Sequence, residues 1–295
     1  METSRTSERA RLVHALIVVL LVVAWSSTFA AIKVGLEYCP PLLFAGMRAL
    51  LGGAAMAVFA WRSGVPLRLR TNWRTYVLLA FLNVVLFFGL QTVALVHLPT
   101  GMAAVLIYLQ PVLVGLLAWP MLGEHLSVTK VLGLLLGFAG IVTVSWESLN
   151  GDIAPEGVVF ALVSAVAWAF GTVMVKRREE TLAGPVTITA QFLIGGTVLL
   201  VLGLFVEGPA AVTWAPGLWA GLGYAGLVGT ALAWGLWFWL IRAGEASRAA
   251  AFIFFVPLSA IAIGAVLLDE AVTPLLAVGA AFVVAGIILV NRRRR

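Results

Sequence analysis

The fold is decided by a stretch that occurs twice, as WSSTFAAIKVGLEYCPPLLFAGMRALLGG at residues 25–53 and as WAFGTVMVKRREETLAGPVTITAQFLIGG at residues 168–196. The two copies share their first tryptophan, Trp25 and Trp168, and their closing pair of glycines. Internal repetition at a long, fixed spacing is the sequence signature of a duplicated structural unit. We therefore expect a chain built from two related halves.

The composition excludes a water-soluble protein and an intrinsically disordered one. Of the 295 residues, 62% are hydrophobic and 11% are charged, whereas a soluble domain averages about 25% charged residues. Such a chain has too few charges to cover a soluble surface and too many apolar residues to stay unfolded. Cys39 is the only cysteine and the three histidines share no ligand spacing, so we expect no disulfide framework, no metal and no cofactor. The sequence predicts an all-α polytopic membrane protein.

The net charge of +6 does not indicate nucleic-acid binding, because the cations lie in short clusters between apolar runs. A bilayer core about 30 Å thick requires about 20 apolar residues of helix, and the chain has ten runs of this kind with short connections. The first run follows a basic leader but is too long for a signal peptide, so we expect an uncleaved helix. The runs cover residues 13–33, 41–61, 76–96, 101–121, 128–146, 157–175, 186–206, 217–240, 249–268 and 274–291.

Lysine and arginine residues orient the ten predicted helices. If the N-terminus is cytoplasmic, the inner segments hold all but two of the 19 cations, as the positive-inside rule requires, and both termini are cytoplasmic. Five helices fall in each half, residues 1–147 and residues 148–295, so the second half enters the membrane from the opposite side. Inverted repeats of this kind support alternating access to a central cavity; a duplication with no consequence for transport is the alternative.

Further stretches carry a resemblance to a known family. Residues 109–127, LQPVLVGLLAWPMLGEHLS, and residues 133–144, GLLLGFAGIVTV, are similar to the end of an EamA domain, and residues 25–53 resemble its start. The second half repeats the pattern more loosely, with Asp269 and Glu270 in place of Gly-Glu. The resemblance implies the drug/metabolite transporter superfamily, with ten helices in two EamA repeats and export of small metabolites across the bacterial inner membrane.

Within that superfamily the chain most resembles the YddG-type exporters of aromatic and other neutral amino acids. The resemblance implies a small-molecule substrate, most of all an amino acid. The same motifs occur in exporters of threonine and homoserine, of nucleosides and of drugs, which stay open as alternatives. A membrane-embedded enzyme is the alternative outside transport, but the sequence contains no GxSxG and no HExxH motif, so we expect no enzyme.

Trp25 and Trp168 lie near the middle of the first and sixth predicted helices, although tryptophan is enriched at the membrane interface. Their N–H groups need acceptors or water at that depth. We therefore predict that these two helices form walls of a solvent-accessible cavity; close packing through small residues is the alternative. The residues beside the two tryptophans are small and polar: Ser26, Ser27, Thr28 and Thr172.

Proline interrupts the fourth and ninth predicted helices at equivalent positions, Pro111 and Pro257. Each proline removes one backbone hydrogen bond and frees a carbonyl four residues earlier, at Ile107 and Ile253. A freed carbonyl in lipid must find a donor. Paired interruptions in two halves indicate a binding site, although a kink that only shapes the helix is equally compatible.

The remaining candidates for the cavity wall share hydrogen-bonding groups or aromatic faces. A cavity lined in this way, without a buried carboxylate, suits a neutral or zwitterionic solute with an apolar side chain, and aromatic faces can also hold an ammonium group. Lipid-facing or core positions are the alternative for each aromatic residue. These candidates are Gln91, Tyr108, Gln110, Tyr224, Trp234, Trp237, Phe254 and Ser259.

Arg48 is the one cation inside a predicted span, and an ionisable residue within the membrane is a functional candidate. It could attract a substrate carboxylate or act as a gate at the outer opening. It could equally reach outward and pair with Glu37, Asp269 or Glu270. Its counterpart in the second half is Gln191, which argues against a role that both halves require.

Charged and small residues near helix ends have structural interpretations. Glu124, like Asp269 and Glu270, could cap the helix that follows it, where a carboxylate is favourable. Glycines in the fifth and tenth predicted helices indicate close helix packing, either with each other or against a second protomer in a homodimer. They are Gly133, Gly137, Gly140, Gly279 and Gly286.

The sequence also limits the energy source. It has no GxxxxGK[ST] phosphate loop, which excludes ATP hydrolysis by this chain. No Asp or Glu lies deep in a predicted span, so a carboxylate proton relay is absent. We expect a facilitator or a weakly proton-coupled exporter; a passive channel and a drug efflux pump are the alternatives.

Overall fold

The computed structural model describes residues 2–64, 69–98, 100–144, 146, 154–259 and 274–292. Every regular element in these ranges is helical and none is a strand. The α-helices are α1 (Glu2–Leu36), α2 (Pro41–Arg62), α3 (Leu69–Leu79), α4 (Leu90–His97), α5 (Thr100–Ile107), α6 (Gln110–Leu122), α7 (Val128–Val144), α8 (Pro155–Arg177), α9 (Gly184–Val206), α10 (Pro216–Gly226), α11 (Ala233–Arg242), α12 (Ala246–Ala251) and α13 (Pro274–Asn291).

Two π-helices continue the α-helices without a break. The first, Ala80–Gly89, joins α3 to α4, and the second, Leu227–Leu232, joins α10 to α11. The alignment of the two halves that matches Pro111 with Pro257 also places these π-helices at equivalent positions. π-Helical turns are rare and are frequently found at functional sites, so their occurrence at equivalent positions makes this part of both halves a candidate functional region.

The apolar pattern predicted the membrane segments well. Within the described ranges, seven helical segments are long and apolar enough to cross a membrane, and three shorter apolar helices accompany them: Val128–Thr143, Ala246–Ser259 and Ala277–Asn291. The count of ten spans stays a prediction, as do the inverted orientation and the division after residue 147. The predicted run 249–268 extends beyond residue 259, and Asp269 and Glu270 lie outside the described residues.

The sequence shows why these helices begin and end where they do. Proline opens several of them, among them Pro41, Pro155 and Pro216, because its fixed φ suits the first turn and its missing N–H has no partner there. Helix α6 ends at Gly123, whose φ of 70° lies in the left-handed region that glycine adopts without strain.

Helices from opposite halves pack backbone against backbone. A Cβ on Gly46 of α2 would lie 2.6 Å from the Leu200 amide nitrogen of α9, and a Cβ on Gly286 of α13 would lie 2.6 Å from the Gly133 carbonyl oxygen of α7. Lipid provides no hydrophobic drive for helix association, so close van der Waals packing must supply it. The glycines of α7 and α13 therefore pack against each other, as one of the two sequence interpretations expected, and do not indicate a homodimer.

We predict that Gly286→Ala destabilises the folded protein by about 1–3 kcal/mol, the usual range for overpacking, because the new methyl group would meet backbone that cannot move aside. Gly223→Ala is the matched control, since a Cβ there meets nothing within 4 Å. Thermal unfolding of both variants in detergent measures the difference. Equal stability of the two variants would show that α7 and α13 are not in contact.

Candidate functional site

A small cavity lies where helices of both halves meet. Its volume is about 30 Å³, which holds one or two water molecules and is far below the roughly 300–1,000 Å³ of ligand pockets. The sequence predicted a solvent-accessible cavity here; in this conformation aromatic side chains nearly fill it. The lining residues are Trp25, Thr28, Phe29, Ile32, Arg48, Phe87, Phe88, Gln91, Tyr108, Trp168, Gly229 and Trp234.

Seven of the residues that the sequence singled out therefore lie around one cavity: Trp25, Thr28, Arg48, Gln91, Tyr108, Trp168 and Trp234. Both π-helices reach the cavity, the first through Phe87 and Phe88 and the second through Gly229. Sequence reasoning missed these three residues because phenylalanine and glycine in an apolar run carry no polar signal. The pairing of two π-helices had no sequence signal either.

The two equivalent tryptophans touch each other. The Trp25 and Trp168 rings pack edge to face with centroids 5.4 Å apart, and Phe87 stacks on Trp168 at 4.6 Å. Trp237 does not line the cavity, but its ring lies 5.7 Å from Trp25 and closes the aromatic cluster on one side. The Trp168 indole nitrogen is buried and has no hydrogen-bond partner among the described residues, so it is a donor available to a solute.

Arg48 lies in the cavity wall rather than at the surface. Its guanidinium carbon is 4.0 Å from the centre of the Phe88 ring, and Nη2 donates to Gln91 Oε1 and Thr92 Oγ1, both at 3.3 Å. None of the ion pairs among the described residues involves Arg48, so the outward pairing with Glu37 is wrong for this conformation.

Other predicted polar residues form pairs outside the cavity. Gln110 Nε2 donates to Thr172 Oγ1 at 3.1 Å, and the hydroxyls of Ser27 and Tyr224 share a hydrogen bond of 2.7 Å. Neither pair lines the cavity in this conformation. Their substrate contacts stay predictions.

Helix interruptions accompany both prolines. Tyr108 and Leu109 separate α5 from α6, in which Pro111 is the second residue, and a 3₁₀ turn, Phe252–Phe254, precedes Pro257. The first interruption places Tyr108 against the cavity. After the second, the Ser26 hydroxyl of α1 lies 2.9 Å from the Val256 carbonyl beside Pro257 and 2.6 Å from the Val22 carbonyl of its own helix, so its one proton can serve either oxygen.

Phe254 and Ser259 do not line the cavity. A Cβ on Gly137 of α7 would lie 2.5 Å from the Phe254 ring, which shows that Phe254 packs on α7 through a glycine. Ser259 is half-buried at the end of the described part of its helix. The predicted binding roles of both residues therefore have no contact to support them in this conformation.

Glu124 caps a helix of the other half. The sequence predicted that it caps the helix that follows, but its carboxylate accepts hydrogen bonds from the Ala246 and Ser247 amides at the start of α12 and from the Ser247 hydroxyl. Lys130 Nζ lies 3.4 Å from Glu124 and 2.8 Å from Glu245. We call these residues, together with Arg248, the Glu124 network.

Glu245 completes the Glu124 network. Arg248 Nε lies 2.8 Å from its carboxylate. Partial burial works to raise the pKa of Glu245, but the bonds and charges of Lys130 and Arg248 outweigh burial and hold that pKa below its usual value of 4.5. Glu245 is therefore ionised at neutral pH, and the network ties the loop before α7 to the loop before α12.

A second carboxylate, Glu207, makes a comparable cap that sequence reasoning missed. It accepts hydrogen bonds from the Leu42 and Leu43 amides at 2.8 and 2.9 Å, so the residue after α9 caps α2. The only thiol lies nearby: burial, with a contribution from Glu207, raises the pKa of Cys39 to about 12. Little thiolate exists at neutral pH, and the thiol is correspondingly unreactive.

Comparisons with known proteins identify relatives along most of the chain. The EamA-like transporter family matches residues 12–146 and 155–292. The chain is 38% identical over 281 residues to a Bacillus subtilis protein named uncharacterized transporter YvbV, covering 95% of this chain and 92% of that protein. It is 30% identical over 280 residues to an Escherichia coli protein named probable amino-acid metabolite efflux pump, covering 91% of each.

A solved crystal structure shares the fold. It matches with a TM-score of 0.81 at 24% sequence identity, covering 94% of this chain and 96% of that chain. The helical arrangement is therefore common to both proteins.

We predict that Glu124→Ala lowers the free energy of unfolding by about 3–5 kcal/mol, the range for breaking a buried ion pair, because it leaves Lys130 and the first amides of α12 without their partner. Glu179→Ala is the control. It removes an ion pair with Lys176, three residues earlier in the same turn, whose side chains are more open to solvent than those of Glu124 and Lys130; a fully exposed pair is worth about 0–1 kcal/mol. Chemical unfolding in detergent compares the two. Equal losses would mean that the Glu124 network does not join the halves.

Proposed function

The chain belongs to the EamA-like transporter family and is a multi-pass membrane transporter, and from this premise we propose that it exports small neutral or zwitterionic metabolites across the bacterial inner membrane. The solutes that fit best are amino acids with aromatic or other uncharged side chains, as in YddG-type exporters. The mechanism is alternating access between two inverted five-helix repeats, residues 1–147 and 148–295.

The observation that carries this proposal is the composition of the cavity. Two tryptophans at equivalent positions, Trp25 and Trp168, meet there with Gln91, Tyr108 and Arg48. Aromatic faces suit an apolar side chain and an ammonium group, and amide, hydroxyl and guanidinium groups suit a carboxylate. The Escherichia coli relative carries a name that includes amino-acid metabolite efflux, which supports the same class of solute.

Paired features support the two-repeat architecture. π-Helices and proline interruptions each occur once in each half, and glycines pack helices of the two halves against each other. The cation distribution supports ten spans with both termini in the cytoplasm. In that orientation the Glu124 network lies on the cytoplasmic side. The network joins the two halves there, and the cavity of about 30 Å³ has to widen before it admits a solute.

Other functions remain as alternatives with less support. Threonine or homoserine, nucleosides and drugs are alternative solutes within the same family. The family and the names of its members indicate a transporter rather than an enzyme. No Asp or Glu lines the cavity among the described residues, which supports a facilitator or a weakly proton-coupled carrier over a carboxylate proton relay.

We expect counterflow of labelled phenylalanine or leucine into proteoliposomes without an imposed pH gradient. Trp168→Ala should lower the rate about tenfold or more, since losing about 1.4 kcal/mol of binding free energy is tenfold and Trp168 holds Phe87 and Trp25 in place. Trp61→Ala is the control, because Trp61 is 80% exposed on the predicted lipid side. An unchanged rate in Trp168→Ala would show that the substrate-binding site lies elsewhere. A strict requirement for a pH gradient would exclude facilitated transport as the mechanism.

The orientation has a separate test, which uses the low reactivity of Cys39. Trp146→Cys should react with a membrane-impermeant maleimide in intact cells, because the join between the halves is expected outside. Ser63→Cys and Arg292→Cys should react only after permeabilisation, and the wild type should stay unlabelled. Labelling of Trp146→Cys on the same side as Arg292→Cys would contradict the inverted topology.

A further inference from the structure

Arg48 is a buried cation that meets only neutral groups among the described residues. Its side chain is 2% exposed, and its two hydrogen bonds, to Gln91 and Thr92, are long at 3.3 Å. Charge-assisted bonds from a guanidinium to a carboxylate usually measure about 2.7–2.9 Å. The Nε atom is buried without any partner in the described part of the chain. The guanidinium therefore keeps donor capacity that the surrounding protein does not use.

The setting of this side chain is that of a binding site. Phe88 covers one face of the guanidinium at 4.0 Å, and Arg48 lines the cavity beside Trp168, whose indole N–H also has no described partner. Arginine within a membrane is costly and is normally paired or functional. Its planar fork matches a carboxylate through two parallel hydrogen bonds.

Among the described residues, only the first half places a guanidinium group in the cavity wall. The counterpart of Arg48 is Gln191, whose Oε1 accepts a hydrogen bond from Asn83 Nδ2 at 2.9 Å and which does not line the cavity. The two equivalent positions are therefore chemically different. Among the described residues the cavity presents a single cationic anchor, which suits one anionic group on one solute.

We propose that Arg48 binds the carboxylate of the transported solute, while the apolar part of the solute lies against Trp25, Phe88 and Trp168. This inference rests on the proposed export function and narrows it: the solute must carry a free carboxylate. Amino-acid amides, amino alcohols and nucleosides lack that group and are poor ligands.

Competition for phenylalanine counterflow by wild-type protein in proteoliposomes tests the proposal. The competitors are N-acetylphenylalanine, which keeps the carboxylate and masks the amine, and phenylalaninamide, which keeps the amine and loses the carboxylate. We expect the amide to compete at least tenfold more weakly than phenylalanine itself, and the N-acetyl compound to compete much better than the amide. Equal competition by the amide and by phenylalanine would overturn the proposal.

Substitution at Arg48 gives a second readout. Arg48→Gln should raise the KM for phenylalanine at least tenfold and abolish the preference for acid over amide. Arg48→Lys should keep that preference with a smaller rise in KM, and it serves as the readout if Arg48→Gln does not fold. Arg62→Gln, at the exposed end of the same helix, should change neither quantity. Unchanged KM and preference in both Arg48 variants would overturn the proposal.

Two further outcomes separate this inference from the proposed function. Transport of a carboxylate that is not an amino acid would overturn the amino-acid proposal and support the role of Arg48, whereas transport of a nucleoside alone would overturn both. Asp269→Asn and Glu270→Gln test an internal partner outside the described residues. If either variant abolishes the acid preference as Arg48→Gln does, the carboxylate that Arg48 binds belongs to the protein and the proposal is wrong.

Discussion

Backbone contact between helices of opposite halves is the interaction on which the rest of the structure depends. Because lipid and leucine are equally apolar, helices in a bilayer associate only where their surfaces fit closely. Glycine provides that fit between α2 and α9 and between α7 and α13. These two pairs form a framework for the interrupted helices that carry the cavity: the two π-helical segments contact α9 and α2, and α6 contacts α7.

Polar groups at the ends of helices join the same halves a second time. Glu207 follows α9 and caps α2, and Glu124 follows α6 and caps α12. A carboxylate at a helix N-terminus satisfies amides that have no partner within the helix and interacts favourably with the helix dipole. In the described part of the chain these carboxylates lie at helix ends, whereas Arg48 is buried inside a helix bundle at 2% exposure.

Hydropathy and proline positions were enough to predict most of the helices, because lipid imposes both the length and the apolar character of a span. The repeat placed Trp25 and Trp168 at equivalent positions and predicted that their helices form walls of one cavity. The two rings are in contact. It was harder to predict which individual side chains face the cavity and which face the lipid. Helices such as α8 and α9 are apolar on all sides, so no stripe distinguishes the cavity from the lipid. Tyr224 and Phe254 do not line the cavity in this conformation, and their predicted roles stay predictions. The partner of Glu124 lies more than a hundred residues away in sequence, a distance that no local pattern encodes.

The paired π-helices have a mechanical consequence. A π-helix bonds each amide to a carbonyl five residues away, rather than the four of an α-helix, and so packs more residues into the same length. Converting part of Ala80–Gly89 to α-helix would lengthen and rotate the segment while each backbone amide keeps an acceptor. Each half thus contains a segment that can lengthen without breaking the chain of backbone hydrogen bonds. Such a change would let Phe87, Phe88 and Gly229 move away from the cavity without exposing unpaired peptide groups to lipid.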